Sequence, residues 1–327
     1  MRRSAFILPV LLALLVVAAP ACGGDDDPGG DEAASSSLTT TTTTPVPIVP
    51  ALTVTARDYG FEAPAVVGGG VTRVTLQNTG QRTHEAVILS TGETPLDQVR
   101  RDLIPSVLGE GKPMPAYLRF YGGVSLVPGG TAAEATLPLP AGRYALVCTL
   151  TDLDSLDSDK AADDAGEPPP GAEQFHFERG MVAAFEVQGT SQATMPATDG
   201  TIAGRDWSFE LPPLAPGTRV LTFRNDGQQD HSLAVAEWAD GIGLDAAKAA
   251  FETLLAATPE KPPPDSTPTP EDLAFAGPLS AGGQVTFPIE LKPNRTYVFA
   301  CYMSDRSGGD LHALGKRMVA YATTPNG

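Results

Sequence analysis

Histidine and cysteine are scarce in this chain: 327 residues carry four histidines and three cysteines. The scarcity excludes much chemistry. No His-x-His pair, Cys-x-x-Cys or HExxH occurs, and no histidine lies beside a cysteine, so dithiol redox motifs and zinc-protease sites have nothing to be built from. A Walker loop, a dinucleotide fingerprint and GxSxG are also missing. Basic side chains are few, with 22 Lys+Arg against 39 Asp+Glu and a net charge of −17. Such a surface repels nucleic acid and anionic lipid headgroups, and it would suit a basic partner. Long apolar runs are limited to one, Ala5 to Ala19, which is short for a membrane-spanning helix.

The rare residues that are present fall into one pattern that occurs twice. His84, Cys148, His176 and Met181 form the first copy, and His231, Cys301, His312 and Met318 form the second. Two imidazoles and a thiolate with a weak axial thioether describe a blue-copper (type 1) ligand set. The surrounding sequence repeats as well. RDYGFEAP (Arg57 to Pro64) matches RDWSFELP (Arg205 to Pro212), and LQNTGQRTH ending at His84 matches FRNDGQQDH ending at His231. PGGTAAEATLPLPAGRYALVC runs without a gap against AGGQVTFPIELKPNRTYVFAC, placing Tyr144 and Tyr297 four residues before each cysteine and Asp152 and Asp305 four after. HFERGMVAAF answers HALGKRMVAY.

The N-terminus reads as a leader over residues 1–21: Arg2-Arg3, the apolar run, then Ala19-Pro20-Ala21-Cys22. The last four resemble a bacterial lipobox, which implies lipidation of Cys22 and a place at the outer face of the cytoplasmic membrane, in the cell envelope. Residues 22–50 are a tether of Asp, Gly, Ser, Thr and Pro that cannot bury enough surface to fold. Lipid, rather than charge, is then expected to hold the protein to the membrane.

Beyond the tether the chain divides into two domains, 51–189 and 195–325. VTRVTLQN, HEAVILS, ATLPLP and RYALVCTL in the first, and TRVLTFRN, HSLAVAE, VTFPIEL and TYVFACYM in the second, are short strand patterns separated by turn residues. The fold class is therefore all-β, two tandem β-sandwiches. The prolines inside ATLPLP and VTFPIEL mark edge strands. Each half also carries a short helical insert, with Leu96, Val99, Leu103 and Val107 on one face in the first and Leu244, Ala247, Phe251 and Leu254 in the second.

At these motifs the chain resembles the cupredoxins, Greek-key sandwiches of the plastocyanin and azurin kind. The likeness lies in Y/W-x-F-x-x-P, N-x-G-x-x-x-H and G-x-Y-x-x-x-C followed by a histidine and a methionine. The resemblance implies that His84, Cys148, His176 and Met181 are copper ligands, as are His231, Cys301, His312 and Met318, with copper in one domain or both. The function it implies is single-electron transfer or copper handling outside the cytoplasmic membrane, with a redox or envelope protein as partner. Cupredoxin enzymes add metals bound by further histidines, and none is left over here, so the chain is expected not to be an enzyme.

Two departures keep other readings open. Ten residues separate Cys301 from His312, but 27 separate Cys148 from His176 in an acidic, proline-rich stretch that begins at Asp152 and reads as a surface loop. Such an insert either folds outward or stops the first site from closing. A metal-free cupredoxin-like binding or structural module of the envelope is the alternative, since buried His, Cys and Met are ordinary core residues. A Cys148–Cys301 disulfide is a further rival, open only if the two Cα atoms come within about 7 Å.

Overall fold

The structure is a computed structural model and describes residues 48–107, 112–152, 171, 173–258 and 260–326, with backbone alone for 104–107. The leader, Cys22, the tether to residue 47 and the acidic stretch 153–170 lie outside the described residues. The first repeat runs β1 (Ala51–Arg57), β2 (Gly60–Glu62), β3 (Val66–Gly68), β4 (Gly70–Asn78), β5 (His84–Ser90), α1 (Leu96–Val107), β6 (Arg119–Val127), β7 (Ala132–Leu139), β8 (Gly142–Val147) and β9 (Val182–Gln188). The second runs β10 (Gly200–Arg205), β11 (Ser208–Glu210), β12 (Gly217–Asn225), β13 (His231–Glu237), α2 (Leu244–Leu255), β14 (Glu271–Leu279), β15 (Gln284–Leu291), β16 (Thr296–Ala300), α3 (His312–Gly315) and β17 (Val319–Thr323). Among the described residues no helix is long and apolar enough to cross a membrane.

The fold is all-β, as the strand patterns require, and its strands form two sheets. One has the order β11-β10-β12-β15-β7-β4-β1-β2, the other β17-β16-β13-β14-β6-β5-β8-β9-β3. In each repeat the chain changes sheet between β4 and β5 (β12 and β13), between β6 and β7 (β14 and β15) and between β7 and β8 (β15 and β16), the crossings of a Greek-key sandwich. The first strand of each repeat pairs parallel with the strand that leads to the first histidine: β1 with β4, β10 with β12. Strand alternation follows from the sandwich: Leu52, Val54 and Ala56 of β1 and Val74 and Leu76 of β4 face the shared core, and their neighbours face water.

β5 and β16 break the alternation because both of their faces are covered. On β5, Ala86 and Ile88 enter the core between the sheets, whereas Val87 and Leu89 meet Val99 and Leu103 of α1 on the outer face. Val99 and Leu103 are fully buried, and each contributes roughly 1.5–3 kcal/mol. In the second repeat Ala247, Ala250 and Phe251 of α2 cover Val298 and Ala300 of β16 in the same way. The inserts thus seal the back of the strands that carry His84 and precede Cys301.

The two repeats share both sheets. β7 meets β15 at one bridge, Thr136↔Thr286, and β6 meets β14 at Leu279↔Tyr121. Pro138 and Pro288 lie two residues beyond the first bridge on either strand, with no N–H to extend the ladder. They sit at the edge of their own half-sheet, and that edge is where the halves join. Gly123 permits β6 to bend there: a Cβ on it would stand 1.9 Å from the Ala86 carbonyl oxygen. Arg306 crosses the seam, donating to the carbonyls of Pro115 (3.0 Å) and Leu118 (2.8 Å) and pairing with buried Asp230.

Candidate metal centre

Each group of ligand residues is assembled by the same backbone pattern. The first histidine opens a central strand, β5 or β13, and the cysteine follows the last residue of β8 or β16. The patterns RYALVCTL and TYVFACYM predict strands that run on past the cysteine. The strands stop at Val147 and Ala300: the cysteine amide still reaches the facing methionine carbonyl in register, Met181 at 3.3 Å or Met318 at 3.2 Å, but the methionine amide turns away and returns no bond. The second histidine is tied back by its own amide to Leu150 (2.8 Å) or Met303 (2.7 Å). The amide that follows it returns to the cysteine carbonyl, at 3.0 Å from Phe177 and 2.9 Å from Ala313. The methionine amide closes on the histidine carbonyl at 2.9 and 3.0 Å. These bonds are independent of loop length, so the long insert leaves the closure of the first site unchanged.

The donor atoms converge. Cys148 Sγ lies 4.0 Å from His84 Nδ1 and 3.4 Å from His176 Nδ1, and the two Nδ1 atoms are 3.1 Å apart. Cys301 Sγ lies 3.7 Å from His231 Nδ1 and 3.4 Å from His312 Nδ1. A trigonal N₂S set around one first-row ion, with bonds of about 2.1–2.3 Å, needs donor separations of roughly 3.5–3.8 Å. All six residues are fully buried, as are Met181 and Met318, which lie in the same core. Cys148 and Cys301 belong to separate groups and are not joined to each other, so the disulfide reading falls.

Every imidazole is held from behind by a carboxylate. His84 Nε2 lies 3.2 Å from Asp58, His176 Nε2 3.0 Å from Asp152, His231 Nε2 3.2 Å from Asp206 and His312 Nε2 3.1 Å from Asp305. A carboxylate accepting at Nε2 fixes the proton there and leaves the Nδ1 lone pair facing the centre, the orienting contact usual behind metal-bound histidine. Two lone pairs 3.1 Å apart at the first site repel one another unless a cation or a proton lies between them. Burial pushes all four imidazoles below their ordinary range, and the nearby His176 helps to bring His84 down to about 4. Neutral imidazole, the ligating form, therefore persists in mild acid. Burial lifts the Cys301 thiol to about 11, so a metal binding there displaces a proton.

The amide behind each cysteine sulfur is matched too: Glu85 N–H points at Cys148 Sγ (3.5 Å) and Ser232 N–H at Cys301 Sγ (3.4 Å). The carboxylates behind the second histidines are not matched. Asp152 is buried, accepts from Tyr59 Oη and Arg179, and has Arg82 at 3.9 Å. This corrects its reading as part of a solvated loop: it is the rear support of His176, and the acidic stretch beyond it lies outside the described residues. Asp305 is more open and has Lys316 at 3.5 Å.

Of the eight ligand candidates read from the sequence, six meet in two His–His–Cys groups, and the four carboxylates behind the imidazoles were not singled out. A usable signal existed: Asp58 and Asp206 occupy the same place in RDYGF and RDWSF, and Asp152 and Asp305 stand four residues after their cysteines. Tyr59 and Trp207, which follow the first two, lie edge-on to His176 (5.2 Å) and His312 (4.9 Å) between ring centroids.

No protein-family model matches the chain, and no curated protein sequence matches it. Solved structures that resemble it are of cupredoxin fold. Reduced auracyanin from Roseiflexus castenholzii is 23% identical, with 38% of this chain and 94% of that one covered and a TM-score of 0.25. A multicopper oxidase is 12% identical over 84% of this chain and 88% of its own, at a TM-score of 0.20. A copper-containing nitrite reductase from Thermus scotoductus is 12% identical over 85% and 61%, also at 0.20. The last two are enzymes, and they align across both repeats. The expectation that the chain is not an enzyme is corrected on that finding: the structures it resembles include a multicopper oxidase and a copper-containing nitrite reductase.

Proposed function

We propose that the chain is a copper protein that exchanges single electrons, with a type 1-like site in each repeat, held by lipid on Cys22 at the outer face of the cytoplasmic membrane. One observation carries the copper reading: two fully buried His–His–Cys groups, each with Nδ1, Nδ1 and Sγ within 4.8 Å of one another. That donor set selects a metal at home with both imidazole and thiolate, and copper in such a site supplies a one-electron couple. The residues do the rest. The four aspartates keep Nδ1 of each imidazole aimed inward, the helical inserts and the core exclude water, and the amides of Glu85 and Ser232 donate toward the sulfurs. Ligands fixed by two sheets and three loop hydrogen bonds move little when charge changes, which favours electron exchange over slow rearrangement. The apolar leader and the loose lipobox at Ala19–Cys22 support the envelope placement, and a one-electron carrier of the envelope is the fitting partner.

The test is a titration of the full chain, freed of metal under reducing conditions, with Cu(II) while the visible spectrum is recorded. An intense thiolate-to-copper band saturating at two equivalents is expected, halved in C148S and in C301S. A silent spectrum with both thiols still free overturns the reading.

A further inference from the structure

The donors of both centres are sealed from water, so an electron has to cross protein to reach a partner, and the two repeats differ in what covers them. The turn after β1 and the turn after β10 each place an aromatic residue at a left-handed position that favours glycine: Tyr59 at φ 65° and Trp207 at φ 74°. The strained conformation brings each ring onto the ligand histidines. Trp207 lies 4.9 Å from His312 and 6.4 Å from His231 between centroids, edge-on to both. At the first centre the ring is half-buried and covered on one face. The Arg179 guanidinium stacks 3.3 Å from the Tyr59 centroid while also bonding Asp152, and the phenol donates to the same carboxylate at 3.0 Å. At the second centre the ring is open. Trp207 is 36% exposed, and the half-exposed Lys316 ammonium lies over it, 4.7 Å from the centroid. Leu314, on the four-residue helix α3 that carries His312, adds exposed apolar surface.

We infer that Trp207 is the contact through which the second centre exchanges electrons with an external one-electron carrier, and that the first centre has no equivalent opening. The inference rests on the copper reading above. In the step the centre loses one electron and the external oxidant gains it; no bond forms or breaks and no proton moves. An exposed indole edge-on to both imidazoles offers an aromatic path to the surface, and the lysine above it favours an anionic oxidant at this point of an otherwise acidic surface.

The experiment uses the full chain as C148S, which leaves only the second centre to load, reduced and mixed with hexacyanoferrate(III) while return of the visible band is followed. W207L is expected to slow the reaction several-fold with the band in place, W207F to restore most of the rate, and C301S, which leaves only the first centre, to react more slowly than C148S. An unchanged rate in W207L with the band intact overturns the inference while the copper reading stands; absence of any band in the parent chain overturns both. If W207L itself loses the band, K316E decides: slowing with hexacyanoferrate(III) supports the port, and an unchanged rate removes it. A metal-free readout stands beside these. Trp207 and buried Trp238 are the two tryptophans, so the emission lost in W207F should be the part quenched by iodide, less so in K316E. Emission from Trp207 that iodide cannot reach would show a closed ring and sink the proposal.

Discussion

Removing the side chain of Asn225 tests how the first histidine of each centre is held. Its Nδ2 donates to the carbonyls of Gln229 (2.7 Å) and Leu279 (2.8 Å), and its Oδ1 accepts from the Gly227 amide (2.9 Å), with no exposed surface. N225A deletes three hydrogen bonds of a buried side chain at a net of about 1 kcal/mol each, or about 3 kcal/mol in all. With a urea slope of about 3 kcal/mol/M, the midpoint should fall by about 1 M at unchanged slope. Asn78 repeats the geometry in the first repeat at 2.7, 2.8 and 2.9 Å, so N78A should cost about the same. The turn beyond Asn225 also presents the Gln228 and Gln229 amides to Asp206, the support of His231. N225A should therefore release metal from the second centre more readily than from the first. The assay is urea unfolding of the metal-free chain, with copper retention against a chelator beside it. A midpoint shift below about 0.3 M in N225A would refute the reasoning, because it would correspond to less than one net hydrogen bond.

Other outcomes rest on the same contacts. In the metal-free chain the ligand imidazoles sit below their unfolded value in the folded state, so the unfolded chain binds protons first. Stability should be whole above about pH 6.5 and fall as pH drops toward 4, by roughly 3 kcal/mol from His84 alone; an equal urea midpoint at pH 7.5 and 4.5 would contradict this. D152N removes the buried partner of Arg179 and should cost about 2–3 kcal/mol, against about 1 kcal/mol or less for D305N, whose carboxylate is partly solvated. R306A leaves the Asp230 carboxylate buried without its cation and should cost about 3 kcal/mol, with much of the loss returned in R306A/D230N; a double-mutant cycle in urea reads both pairs.

Some of the architecture was not legible in the chain. β6 and β14, which join the repeats in one sheet, carry Gly122-Gly123 and Gly277-Pro278 and are absent from the strand patterns read in the sequence, because a local pattern cannot show that another strand waits beside them. Asp152 looked like the start of a solvated acidic stretch, and it is buried because Arg179, Tyr59 and His176 converge on it from distant positions. The 27-residue separation of Cys148 from His176 obscured the first site for a similar reason: sequence distance says nothing about which ends of a loop are hydrogen-bonded.

The sequence by itself determined the class of fold and the candidate donor residues, since short alternating strand patterns and a twice-repeated His, Cys, His and Met leave few other arrangements. Tertiary structure decided that the donors meet, that each imidazole turns Nδ1 inward against a carboxylate, and that Arg179 covers Tyr59 at one centre while Trp207 is exposed at the other. Those outcomes depend on distances between residues far apart in the chain, and a distance of that kind exists only once the two sheets have closed on one another.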